Sequence, residues 1–240
     1  MEFSKRKIII NSWNIMKNHL GLWIFIMLLI IGLNLLLSNI QDALLGTITP
    51  QSILFIIAAY LFQMGLNLGM IRIALNINNT NQATIKDLIG SFYMLIPYIF
   101  ATIIFLITMF LAASPGIILL FISISSDWGA IARLEWMNSG TMFVPILLIL
   151  IPATYVAIRL QYYDYFLIDN ECSIMASITN SAKITKGYAG ELLLLGAILS
   201  IILLISIIPL GAGLIISIPL GIMVNTSVYQ KLKKQSLKTN

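Results

Sequence analysis

The chain has 240 residues, of which 59% are hydrophobic and only 10% charged, where a soluble domain carries about 25% charged residues. That leaves too little polar surface to cover a water-soluble globule, so lipid is the solvent for most of the molecule. A net charge of +5 suits cytoplasmic loops beside anionic lipid rather than nucleic acid, and a single cysteine, Cys172, leaves no intrachain disulfide.

The opening "MEFSKRKIIINSWNIMKNH" has the positive start of a signal peptide. Its long apolar run begins only near Leu20 and no small-x-small cleavage site follows, so an uncleaved segment is expected. Within it Ile8, Ile9, Trp13 and Met16 fall toward one helical face, away from Lys5, Lys7 and Asn11. That pattern predicts a short amphipathic helix lying in the headgroup plane. The first membrane spans are expected at Leu20–Leu37 and Ile53–Leu75, since about 20 mainly apolar residues cross the hydrocarbon layer. Asn34 lies in the first. Gln63 and Asn67, one turn apart on a shared face, lie in the second beside a GxxxG formed by Gly65 and Gly69, which permits close helix approach.

A second amphipathic stretch follows, "TIKDLIGSFYML", with Ile85, Leu88, Ile89 and Phe92 at i, i+3, i+4 and i+7. It leads into a span at Tyr93–Ala113. Apolar sequence then continues past Pro115-Gly116 to Ile124, where proline is expected to end or kink the helix. Ile117–Ile124 is then either a re-entrant piece or a seventh, short span. The next span is Met142–Leu160.

Charge returns in "IRLQYYDYFLIDNECSIMASITNSAKITKGYAGE" at 158–191. This reads as a wet inner face. Tyr162, Tyr163, Tyr165 and Phe166 are expected in the aromatic belt. Asp169-Asn170 is expected to start a third short helix near Ser173, which carries Ile174, Ile178 and Ala182 on one face. The last two spans are placed at Leu192–Ile208 and Leu214–Tyr229, the latter with Asn225 and Thr226. Six spans with an internal N-terminus put 13 of the 14 lysines and arginines on one side, all except Arg133. The expectation is an all-α polytopic membrane helix bundle with six transmembrane helices, short helices on the cytoplasmic side and both termini in the cytoplasm.

The three short stretches align on Ser12, Ser91 and Ser181, and each returning span ends near a cation: Arg72, Arg159 and Lys231. This predicts three tandem units of one 1–240 membrane domain, at 1–76, 80–163 and 170–233, each a short helix, a span out and a span back. The competing reading is that apolar sequences match by composition alone. The cations are expected at the inner rim, where anionic headgroups stabilise each by about 1 kcal/mol. Arg159 is expected to have Asp164 as a carboxylate partner. Arg159→Leu is therefore expected to cost more stability in anionic than in zwitterionic lipid.

The run from Arg159 through Tyr162, Tyr163, Asp169 and Ser181 to Lys186-Gly187, with the ending "PLGAGLIISIPLGIMVNTSVYQKL", resembles uncharacterised bacterial polytopic membrane proteins of the YciC-like kind. A related membrane domain is fused to some glycerophosphodiester phosphodiesterases. The resemblance implies a multi-pass bundle in the bacterial inner membrane. It implies no activity, because this chain has no room for the soluble catalytic domain.

No HExxH, GxSxG, phosphate-binding loop or CxxC occurs. The one histidine, His19, is expected as an interfacial anchor. Asp164, Asp169 and Glu171 do not have the spacing of a calcium loop. No catalytic residue, metal or cofactor is therefore expected. The functional expectation is a non-enzymatic membrane accessory, scaffold or lipid-organising protein, with the lipid bilayer and its anionic headgroups as partners. The alternative is a small-solute or lipid transporter lined by Asn34, Gln63, Asn67 and Asn225, residues for which the favoured structural reading is interhelical hydrogen bonding.

Overall fold

The computed structural model describes residues 4–44, 49–126, 142–209 and 211–239. Every regular element among them is helical: α1 (Lys5–Met16), α2 (Leu20–Leu44), α3 (Pro50–Thr80), α4 (Ile85–Ile89), α5 (Leu95–Ser126), α6 (Phe143–Leu160), α7 (Tyr163–Asn170), α8 (Ile174–Ile184), α9 (Ala189–Ile207) and α10 (Leu214–Thr239). Single turns of 3₁₀ helix at Lys17–His19 and Phe92–Met94 join α1 to α2 and α4 to α5. The loop holding Arg133, residues 127–141, lies outside the described residues.

Each of the three expected short helices forms, and each has a local reason to start. Thr84 and Asp87 make a reciprocal capping box at α4, the Thr84 N–H donating to Asp87 Oδ2 at 2.7 Å. Ser173 caps α8 by accepting from the Ala176 N–H. Asp169 and Asn170, expected to start α8, instead end α7, whose last turn they form. In α1, Ile8, Ser12 and Met16 are buried while Lys7 and Asn11 are exposed.

The long helices pair as antiparallel hairpins. Gln63 Nε2 donates to Asn34 Oδ1 at 2.6 Å across α2 and α3, and His19 meets Asn81 at the hairpin's other end. α5 and α6 pair in the same way, and Thr102 of α5 bonds the hydroxyl of Tyr163, at the start of α7, at 2.9 Å. Near the far end a Cβ added to Gly116 would lie 2.5 Å from the Ile149 backbone nitrogen. That contact requires α5 to run on past its proline. It does, as one helix to Ser126, so Ile117–Ile124 is neither re-entrant nor a separate span. The reason is local: proline removes the N–H that would bond the Leu111 carbonyl, and the Ser114 hydroxyl donates to that carbonyl instead at 2.8 Å.

Five helical stretches are long and apolar enough to cross a membrane: Lys5–Gln41, Pro50–Thr80, Ile85–Ser123, Phe143–Asn170 and Ala189–Ile207. The sixth expected span, Leu214–Tyr229, also forms as helix within α10, but its second half is too polar to join that set. Its position explains the difference. Met223, Val224, Thr226, Val228 and Tyr229 are completely buried, because α10 packs against α1, α2, α3, α8 and α9. A helix shielded from lipid by its neighbours need not be apolar all round.

One core cluster joins the returning helices: Leu68, Ile71 and Leu75 of α3, Tyr165 and Phe166 of α7, and Val224, Val228 and Tyr229 of α10. The tyrosines expected in an interfacial belt are therefore core residues. Tyr162, Tyr163 and Tyr165 are buried, Tyr165 stands 5.3 Å from Tyr229 between ring centroids, and Tyr163 stacks on Tyr98 and Phe105. Large apolar side chains along the outside of α2, α5, α6 and α9 are exposed.

Candidate functional site: the polar end of the bundle

Each short helix packs against a returning helix: α1 on α10, α4 on α3, and α8 on α6 and α7. The α1 residue Ser12, fully buried, bonds Ser227 of α10 at 2.9 Å. The helix α4 lies on α3: a Cβ at Gly65 would meet the Phe92 ring at 2.5 Å, and one at Gly69 would overlap the Leu88 carbonyl. The GxxxG face thus admits a short helix rather than another long one. The helix α8 docks at the break between α6 and α7. There the Ser181 hydroxyl accepts from the Tyr162 N–H at 3.1 Å and donates to the Arg159 carbonyl at 3.2 Å, and Thr185 donates to the same carbonyl at 2.8 Å. Backbone groups released by the helix break are thereby satisfied. Ser12, Ser91 and Ser181, the residues on which the sequence units align, are all fully buried.

Two of the three marked cations sit in matching environments. Arg72 donates to the Gly90 carbonyl, the C-cap of α4, and to the Tyr93 hydroxyl. Arg159 donates to the Ala182 carbonyl in the last turn of α8, to Thr185 Oγ1 at 3.2 Å and to the Tyr155 hydroxyl at 3.0 Å. Each cation thus meets the negative end of a short helix. Asp164 is not the partner of Arg159; its Oδ1 accepts the Tyr165 N–H. The third serine contact does not reach Lys231: Ser12 meets Met223 and Ser227, one turn or more earlier on α10. Lys231 lies instead on the wall of a groove described below.

Ion pairs tie this end together. Lys5 pairs with Glu191 at the start of α9. Lys233 pairs with Asp169, whose Oδ2 also accepts the Tyr229 hydroxyl at 2.9 Å. Lys233 reaches Asn170 as well, at 2.6 Å. Tyr93 donates to Glu171. Three grooves lie among the returning helices, two of them also bordered by a short helix. The first, of about 360 Å³, has Arg72, Asn76 and Asn79 facing Asp169 and Glu171. The second, of about 560 Å³, holds Lys183, Lys186 and Lys233 with Asn170 and Asn180. The third, of about 510 Å³, holds Lys7, Lys231 and Lys234 with Asn11 and Gln230. The sequence reading singled out the arginines and Lys231 but not the other groove lysines. The readable signal was the i, i+3 pair Lys183, in the last turn of α8, and Lys186, in the turn that follows it, which only the fold brings beside Lys233.

The four residues read as a polar lining or as interhelical contacts do not converge. Asn34 and Gln63 bond each other and face a small cavity of about 280 Å³ inside the α2–α3 hairpin. Asn67 is exposed and Asn225 half-buried, and neither lines that cavity. Among the described residues no three of His, Cys, Asp and Glu come together. Cys172 donates to the Phe166 carbonyl at 3.4 Å, and burial pushes its thiol above the ordinary value, which leaves little thiolate for nucleophilic chemistry at neutral pH.

These features define an all-α polytopic bundle with membrane-crossing helices and one strongly polar, lysine-rich end. The chain belongs to a family described as "Protein of unknown function (DUF975)", whose model matches residues 5–236. No curated protein and no solved structure matches it.

Proposed function

We propose that this protein is a non-enzymatic constituent of the bacterial cytoplasmic membrane, a scaffold or lipid-organising accessory with six crossings and both termini in the cytoplasm. In this reading the short helices lie in the inner headgroup layer, and the polar end engages anionic lipid. The motif from Arg159 to Gly187, which resembles that of YciC-like membrane proteins, supports that placement.

The observation that carries the proposal is the concentration of lysines at one end of a bundle whose sides are apolar. Lysines near an anionic surface each contribute about 1 kcal/mol to its attraction. Among the described residues, the support for a solute path is the polar cavity at Asn34 and Gln63, and their mutual bond suits interhelical adhesion better. The test is thermal melting of the full chain in nanodiscs of phosphatidylcholine with increasing phosphatidylglycerol. The melting temperature should climb with anionic lipid, and salt should reduce the gain. Identical melting across all compositions would refute the reading.

A further inference from the structure

The three grooves of the polar end have corresponding walls. Each lies between two successive returning helices, in the cyclic order α3, α7, α10 and back to α3. The α8 helix closes the second groove, and α1 closes the third. Their charges differ in a telling way. In the groove between α3 and α7 the protein supplies its own anions, Asp169 and Glu171, opposite Arg72. In the other two, three lysines each face inward. Asp169 reaches the second groove only through Lys233. Lys183, Lys186, Lys7 and Lys234 are exposed side chains, and no carboxylate among the described residues pairs with them.

We infer that the two lysine-lined grooves are discrete binding sites for the phosphate group of an anionic phospholipid, and that the α3–α7 groove is closed to such a ligand by Asp169 and Glu171. The inference rests on the anionic-lipid reading above and adds to it location and number. Lysine side chains offer three N–H donors each and no acceptor, so a phosphate is the fitting counter-ion. Asn170 and Asn180 in one groove, and Asn11 and Gln230 in the other, supply neutral donors for its remaining oxygens. The choice of a lipid over a free anion rests on the apolar part of each lining. Ile184, Tyr188 and Leu237 border one groove, Ile8 and Ile15 the other, an apolar margin suited to a lipid's glycerol and acyl portion rather than to a free anion.

Native mass spectrometry of the full chain, extracted from membranes containing phosphatidylglycerol and washed in detergent, counts the retained lipids. The wild type should keep two. The pair Lys183→Gln/Lys186→Gln should keep one, and Lys7→Gln/Lys234→Gln should keep one. The control pair Lys17→Gln/Lys86→Gln, exposed cations outside all three grooves, should keep two. Because the substituted side chains are exposed, melting in pure phosphatidylcholine should match wild type for every variant. A parallel arm adds inorganic phosphate to protein in phosphatidylcholine nanodiscs and should give no shift in melting. Equal retention by all variants, or equal loss in the control pair, would overturn the inference. So would stabilisation by phosphate alone that both groove pairs abolish, since the ligand would then be a free anion. If wild-type melting still climbs with phosphatidylglycerol while retention ignores the groove lysines, the discrete sites fail and the general reading stands. If that climb is absent too, both fail.

Discussion

A single hydroxyl, that of Ser181, settles how the fourth long helix turns a corner. The helix breaks at Gln161–Tyr162, and a break inside a buried region strands one donor and one acceptor. Ser181 serves both, and Thr185 reinforces the acceptor side. Ser181→Ala should therefore leave the Tyr162 N–H buried without a partner and cost about 1–3 kcal/mol. Ser181→Thr, which keeps the hydroxyl, should cost less. Melting of the two variants in one lipid compares them; equal losses would mean that bulk, not the hydrogen bonds, governs the site. Arg159 stands on the same few residues. Read from the sequence it was a rim cation stabilised by headgroups. Its bonds run instead to Ala182, Thr185 and Tyr155. Arg159→Leu should thus destabilise by about 2 kcal/mol, and by the same amount in phosphatidylcholine and phosphatidylglycerol nanodiscs. A loss confined to the anionic lipid would restore the headgroup reading.

At the scale of elements, α5 shows how a local rule is overridden by a neighbouring side chain. Proline should stop the helix, yet Ser114 takes the orphaned Leu111 carbonyl and α6 packs against Gly116 beyond it. This makes a coupled pair. Ser114→Ala alone should cost about 1 kcal/mol. Pro115→Ala restores the backbone N–H, so on that background Ser114→Ala should cost almost nothing. A double-mutant cycle by thermal melting should show this non-additivity; strictly additive losses would show that the serine is not what sustains the helix. The same element marks the limit of what the chain reveals by itself. Long apolar runs, the periodicity of the three short helices and the serine at the heart of each were legible, because all are patterns within one segment. The burial of Tyr162, Tyr163 and Tyr165 was not, since it depends on Tyr229, Tyr98 and Phe105 arriving from other helices. Nor was the shielding of α10, whose polar second half looks unsuited to a membrane until five neighbours surround it. The grooves escaped for the same reason: Lys186 and Lys233 are far apart in sequence and share a wall only in the fold.

For the whole molecule, the closure of the bundle fixes the parity of its crossings. Ser4 and Lys7 share a groove with Lys231 and Lys234, and Ser12 bonds Ser227. The start of α1 and the end of α10 therefore lie on one side, and the chain between them must cross an even number of times. That rules out the seven-span alternative independently of the charge bias, and the continuity of α5 through Pro115 removes the segment that would have supplied the extra crossing. Five strongly apolar stretches do not give an even count, so the proposed six crossings make α10, shielded by the others, the sixth. In the proposed reading the shared side is the cytoplasmic one, because the lysines of both ends favour the side without translocation. Cysteine labelling in a Cys172→Ser background checks each step separately. Ser4→Cys and Lys238→Cys should react with a membrane-impermeant maleimide only after the cells are opened, whereas Ser139→Cys, in the connection between α5 and α6, should react in intact cells. Labelling of Ser4→Cys and Lys238→Cys on opposite sides would break the parity argument itself. Labelling of both in intact cells would preserve the even count and invert the molecule, placing its lysine-lined grooves at the outer surface.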